Sequence, residues 1–118
     1  MNRIPQRKVS VFIEDPPKTP PMSEEARRKA GFLLGKLQEG ETLSMPTARP
    51  MPSIGKRCLE LRFNDADTTW RVMCRTDPDA VLVLYWFAKK TASTPQSVLE
   101  LCRKRLADYD NLNKKEKR

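Results

Sequence analysis

Between Cys58 and Phe63 apolar and polar residues alternate strictly: Leu59, Leu61 and Phe63 fall on one side, Glu60 and Arg62 on the other. A period of two predicts a strand with one buried and one solvated face. The run 69–75 repeats the pattern, with Trp70, Val72 and Cys74 opposite Arg71 and Arg75. Residues 80–87, Ala-Val-Leu-Val-Leu-Tyr-Trp-Phe, are apolar throughout, which predicts a central strand covered on both faces. Asn64-Asp65-Ala66-Asp67 and Asp77-Pro78-Asp79 are rich in turn formers, so the three strands are expected to pair as a meander.

The flanking segments are read in the same way. Residues 8–14 alternate weakly and are β-branched, predicting a first strand that the prolines at 16, 17, 20 and 21 bring to an end. Ser23 is a good helix N-cap, with Glu24 and Glu25 at the positive end of the dipole. Ala26, Ala30, Leu33, Leu34 and Leu37 then build one apolar stripe, and Gly40 suits the stop. Arg27, Arg28 and Lys29 lie partly off that stripe, as a solvated face or a contact for RNA or an acidic partner. Residues 41–56 carry turn chemistry without periodicity and read as one long loop, lacking the spacing of a phosphate-cradling P-loop.

Thr94 as N-cap and Pro95 at the first helical position open a last helix, whose stripe is Val98, Leu101, Cys102 and Tyr109, with Leu106 close by. Residues 111–118 read as a disordered basic tail. The expectation is one α+β domain over residues 1–118, with its core at about 7–110: a small antiparallel sheet with a mixed edge, of about four strands, with two or more helices packed on it.

Composition narrows the function classes. The chain has 118 residues and a net charge of +8, which favours an anionic partner: nucleic acid, a membrane surface or an acidic protein. No apolar run is long enough to span a membrane, and the apolar stripes look core-facing, so a membrane role is disfavoured. The three cysteines, Cys58, Cys74 and Cys102, have no metal spacing and are expected to be reduced, buried thiols of a cytoplasmic protein with no metal and no cofactor. Histidine is absent, so acid–base chemistry would fall to other side chains.

Cations mark the same stretch as the strands. Arg62, Arg71, Lys89 and Lys90 can converge on one rim of the sheet. Lys56 and Arg57 precede the first strand of the meander, Arg75 ends the second, and Arg103 lies on the last helix. Glu60 shares a face with Arg62, as a weak base or as a salt bridge that orients it. Trp70, Tyr85 and Trp86 suit base stacking or, given their apolar strands, core packing.

The order and spacing of Met51-Pro52-Ser53-Ile54-Gly55, Glu60-Leu61-Arg62, Trp70-Arg71-Val72, Phe87-Ala88-Lys89-Lys90-Thr91, Thr94-Pro95 and Arg105-Leu106 resemble the RelE/HigB toxin superfamily, and within it the phage-derived HigB-like branch. The resemblance implies a small microbial RNase-like fold and the toxin of a type II toxin–antitoxin pair. It also implies cleavage of mRNA in the ribosomal A site, and an antitoxin that is often a helix-turn-helix DNA-binding protein. On that reading Arg62 and Arg71 clamp the scissile phosphate, Lys89 and Lys90 hold the backbone or protonate the leaving oxygen, and Lys56, Arg57, Arg75 and Arg103 touch RNA. The competing reading is a non-catalytic basic module that binds RNA or protein.

Overall fold

The computed structural model describes residues 9–15, 22–66, 68–89 and 94–116. Five strands form one open sheet: β1 (Val9–Phe12), β2 (Ala48–Pro50), β3 (Cys58–Asp65), β4 (Thr68–Thr76) and β5 (Ala80–Lys89). Two helices accompany them, α1 (Glu24–Gln38) and α2 (Gln96–Glu116). The spatial order is β1-β5-β4-β3-β2, with β1 parallel to β5 and every other pair antiparallel. The expected meander is therefore present, and β5 lies inside the sheet.

Each helix covers one face. Ala26, Ala30, Leu33, Leu34 and Leu37 of α1 pack with Leu61, Phe63, Trp70, Val72, Val83 and Trp86. Val98, Cys102 and Leu106 of α2 pack with Met73, Leu82 and Leu84 on the other side. The continuous apolar run of β5 follows, since Val81, Leu82, Val83 and Leu84 are all completely buried between the two layers.

The boundaries of α1 follow local chemistry. The Ser23 hydroxyl accepts from Ala26 N–H at 3.0 Å and donates to Asp65 Oδ1 at 2.6 Å. Gly40 adopts φ 85°, and the N–H groups of Gly40 and Glu41 return to the Leu37 and Lys36 carbonyls, closing a glycine-dependent C-cap.

The structure departs from expectation in four places. First, the loop over 41–56 contains β2, three residues held to β3 through the register Pro50↔Leu59, Arg49↔Glu60 and Ala48↔Leu61. Second, α2 continues to Glu116, through most of the segment read as a disordered tail. Third, the Thr94 hydroxyl does not cap α2 but donates to Glu60 Oε2 at 3.1 Å. Fourth, the polar face of β3 and β4 is not wet: Glu60 is completely buried, and Arg71 and Arg75 are each 8% exposed. Alternation assigns residues to faces but does not say what covers each face.

β5 carries one irregularity. Met73 pairs with Tyr85 and Cys74 with Val83, so Leu84 is an extra residue in the ladder. Arg105 of α2 donates to the Leu84 carbonyl and, from Nη2, to Glu14 Oε1 at 3.1 Å. Arg105 thus ties α2 to the bulge and to the segment after β1.

Leu82 is completely buried between the layers. Leu82→Ala is expected to lower stability by about 2–5 kcal/mol, read as a shift of the urea midpoint at unchanged slope.

Candidate functional site

Antiparallel pairing sets Arg62 directly opposite Arg71. Like charges at such positions repel. Glu60 lies two residues before Arg62 on the same face, and its Oε1 accepts from Arg62 Nε at 2.8 Å and from Arg71 Nη1 at 2.9 Å. With Thr94 on Oε2, three side chains from β3, β4 and the approach to α2 meet on one carboxylate. Burial pushes the Glu60 carboxyl up, but the Arg62 hydrogen bond, the Arg71 charge, the Thr94 hydroxyl and the Arg71 hydrogen bond together hold it below the ordinary glutamate value. Of the two readings of Glu60, the geometry matches the salt bridge that orients Arg62, extended to Arg71.

The two guanidiniums keep donors beyond this contact. Each has five N–H groups, and each gives Glu60 one nitrogen. The Arg62 side chain is 23% exposed and that of Arg71 10%, so Arg62 faces solvent more. Arg71 Nε is buried and meets no acceptor among the described residues. Lys89 lies on the neighbouring strand, paired with Thr69. Its side chain, and the whole of Lys90, lie outside the described residues.

The other basic residues gather elsewhere. Arg75 makes a two-pronged contact with Asp77 (2.7 and 2.9 Å) and another with Asp110 of α2 (3.0 and 2.8 Å). The hydrogen bond to Asp110, ahead of the contacts with Asp77, raises the Arg75 pKa against the opposing effect of burial. Arg57 joins the cluster through Asp77 Oδ1 at 3.2 Å and the Thr76 carbonyl at 2.9 Å. The expected RNA contact at Arg75 therefore gives way to a structural role: its guanidinium pins α2 to the end of the sheet. Lys56 is exposed, and Arg103 is exposed while donating to the Ser53 carbonyl at 2.7 Å.

Charge distinguishes the two clusters. At the Asp77 end two arginines, Arg57 and Arg75, meet two carboxylates, Asp77 and Asp110. At the Glu60 end two arginines share one carboxylate, leaving a positive excess. The sequence offered Glu60 and Arg62 as neighbours on one face, but no local signal pointed to Thr94.

Several alternatives fall away. Burial pushes the Cys58 thiol up to about 11 and that of Cys102 up to about 12, and raises Cys74 too, so none is a ready nucleophile. Trp70 and Trp86 are buried in the core, each 4% exposed, and are not free to stack on a base. Tyr85 is half-buried with Phe87, ring centroids 5.6 Å apart. Among the described residues no helix is long and apolar enough to cross a membrane.

A mixed sheet with a helix on either face and an under-neutralised arginine pair defines a small basic α+β protein suited to an anionic ligand. The chain belongs to the phage-derived Gp49-like protein family (DUF891), whose model matches residues 21–107 and so includes Glu60, Arg62, Arg71 and Thr94. This family is associated with toxin–antitoxin systems, which makes an antitoxin the expected partner. No curated protein and no solved structure matches the chain.

Two outcomes test these assignments. Because the folded Glu60 carboxyl lies below the 4.5 of the free side chain, the folded state binds fewer protons there. Its stabilisation is complete above pH 4.5 and is lost as pH falls through the folded value. Urea unfolding across pH should therefore show the stability gap between the native chain and Glu60→Gln shrinking in acid. Arg75→Ala should cost about 2–3 kcal/mol by removing the two-pronged partner of Asp77 and Asp110 and so the tie between α2 and the sheet, whereas Arg103→Ala should stay within about 0.5 kcal/mol in the same assay.

Proposed function

We propose that the chain is the toxin of a toxin–antitoxin pair, of the RelE/HigB type, and that it acts in the cytoplasm as an endoribonuclease on mRNA held in the ribosomal A site. The observation that carries this reading is the excess positive charge where Arg62 and Arg71 share Glu60.

RNA brings its own nucleophile. The 2′-hydroxyl attacks the adjacent phosphorus, a P–O bond forms to O2′, and the P–O5′ bond breaks. The products are a 2′,3′-cyclic phosphate and a 5′-hydroxyl, with the proton lost from O2′ balanced by one gained at O5′. The enzyme must align the groups and stabilise charge on the phosphorane oxygens. Guanidinium groups suit this task because they stay charged and match phosphate oxygens in pairs. In this proposal Arg62, the more exposed, grips the non-bridging oxygens, and Arg71 adds charge from behind. Lys89 and Lys90 supply the backbone contact or the proton for the leaving oxygen, and Lys56, Arg57 and Arg103 extend the contact with RNA. Glu60 acts as an anchor: it is completely buried and its oxygens already accept from three side chains, a poor arrangement for a general base. With no described base at the cluster, alignment of the 2′-hydroxyl falls to the ribosome.

A second reading, a non-catalytic module that binds RNA or protein, draws on the same ion pairs, because they occupy part of each arginine's donor set.

Purified protein added to translating ribosomes should cut mRNA with cyclic-phosphate ends. Arg62→Ala should reduce the cut fraction at least about a hundredfold while the chain stays folded, as judged by its thermal melt. RNA binding that weakens with salt but never yields cut ends would favour the second reading.

A further inference from the structure

A groove of about 690 Å³ runs between α1 and the outer edge of β3. Arg28, Lys29, Phe32 and Leu33 form one wall, a single face of α1 at helical spacing, and Phe63 and Asn64 form the other. The β3 edge is open here because β2 ends early. Ala48↔Leu61 is the last pair of that ladder, and Arg62 N–H still reaches the Thr47 carbonyl at 2.8 Å. Thr47 N–H, however, turns back to the Ser44 carbonyl at 3.1 Å. The Arg62 carbonyl and the Asn64 N–H thus have no backbone partner among the described residues. The Asn64 carbonyl accepts from Lys29 Nζ at 2.7 Å, so a lysine blunts this edge. Beside it Phe32 is 64% exposed.

We infer that this edge receives a strand from a protein partner: an extended acidic segment with apolar residues at alternate positions. Its backbone completes the ladder at Arg62 and Asn64, its N–H replacing Lys29 Nζ on the Asn64 carbonyl. One side of such a strand lays apolar side chains on Phe32, Leu33 and Phe63. The carboxylates on its other side meet Arg62, while Arg28 and the released Lys29 flank the apolar side and add positive potential, against which the groove sets only Glu25. A nucleic acid fits less well, since it offers no regular ladder of N–H and C=O groups. Lys36 Nζ also lies 4.8 Å from the Phe32 ring centroid, over a face that a base would need. The surface shares Arg62 with the proposed RNA cleavage but does not depend on that reading, since its test reads peptide binding at Phe32 and Asn64 and not cleavage.

The test titrates the isotope-labelled full chain with a blocked octapeptide of alternating glutamate and valine, followed by amide NMR. Expected are shifts at Arg28, Lys29, Phe32 and Asn64, with Asn64 N–H exchange slowed at least about tenfold. Arg28→Glu combined with Phe32→Ser, both at exposed positions, should weaken binding about tenfold or more. The same peptide methylated at alternate backbone nitrogens, or with lysine in place of glutamate, should not bind. The inference is overturned if the acidic peptide leaves these amides unmoved at millimolar concentration, if the methylated peptide binds equally well, or if a uridine octamer occupies the groove and displaces the peptide.

Discussion

The arrangement depends on one buried carboxylate. Two arginines face each other across β3 and β4, and without a counter-charge the pairing of those strands would carry a direct repulsion. Glu60 removes it and is itself stable inside the protein only because both guanidiniums and the Thr94 hydroxyl surround it. The same contact therefore serves folding and the proposed chemistry. It also links the sheet to the approach of α2, so the rim and the helix are positioned together.

The two ends of the sheet use similar residues for different purposes. Near Asp77 the arginines and carboxylates balance, and the cluster fastens α2. Near Glu60 they do not balance, and the surplus faces outward through Arg62. Counting cations along the chain treats both ends alike, whereas the ratio of arginine to carboxylate at each cluster separates structure from recognition.

The sequence made some of this legible. Period-two alternation at 58–63 and 69–75 and the apolar run at 80–87 correctly placed β3, β4 and β5, because those signals are local. Ser23 and Gly40 marked the ends of α1 for the same reason. What stayed hidden was set by distant partners. β2 exists through its pairing with Leu59, Glu60 and Leu61, and Ala48-Arg49-Pro50 has no pattern of its own. The last turns of α2 are polar, and Asp110 is held by Arg75, 35 residues away in sequence. The burial of Glu60 depends on what lies over it, which alternation along β3 does not encode.

The extra residue at Leu84 has a consequence for how the rim is composed. Leu84 and Tyr85, though consecutive, both pack toward α2, so the phase of β5 changes there: Val83 and Trp86 share the α1 side, and Phe87 returns to the α2 side. The half of β5 nearest Arg71 is thus set independently of the half that fills the core. Keeping every residue but forcing β5 into regular alternation would exchange the sides of Tyr85, Trp86 and Phe87 together, turning the indole toward the arginines in place of the phenyl ring, whereas deleting Leu84 would leave all three on their present sides.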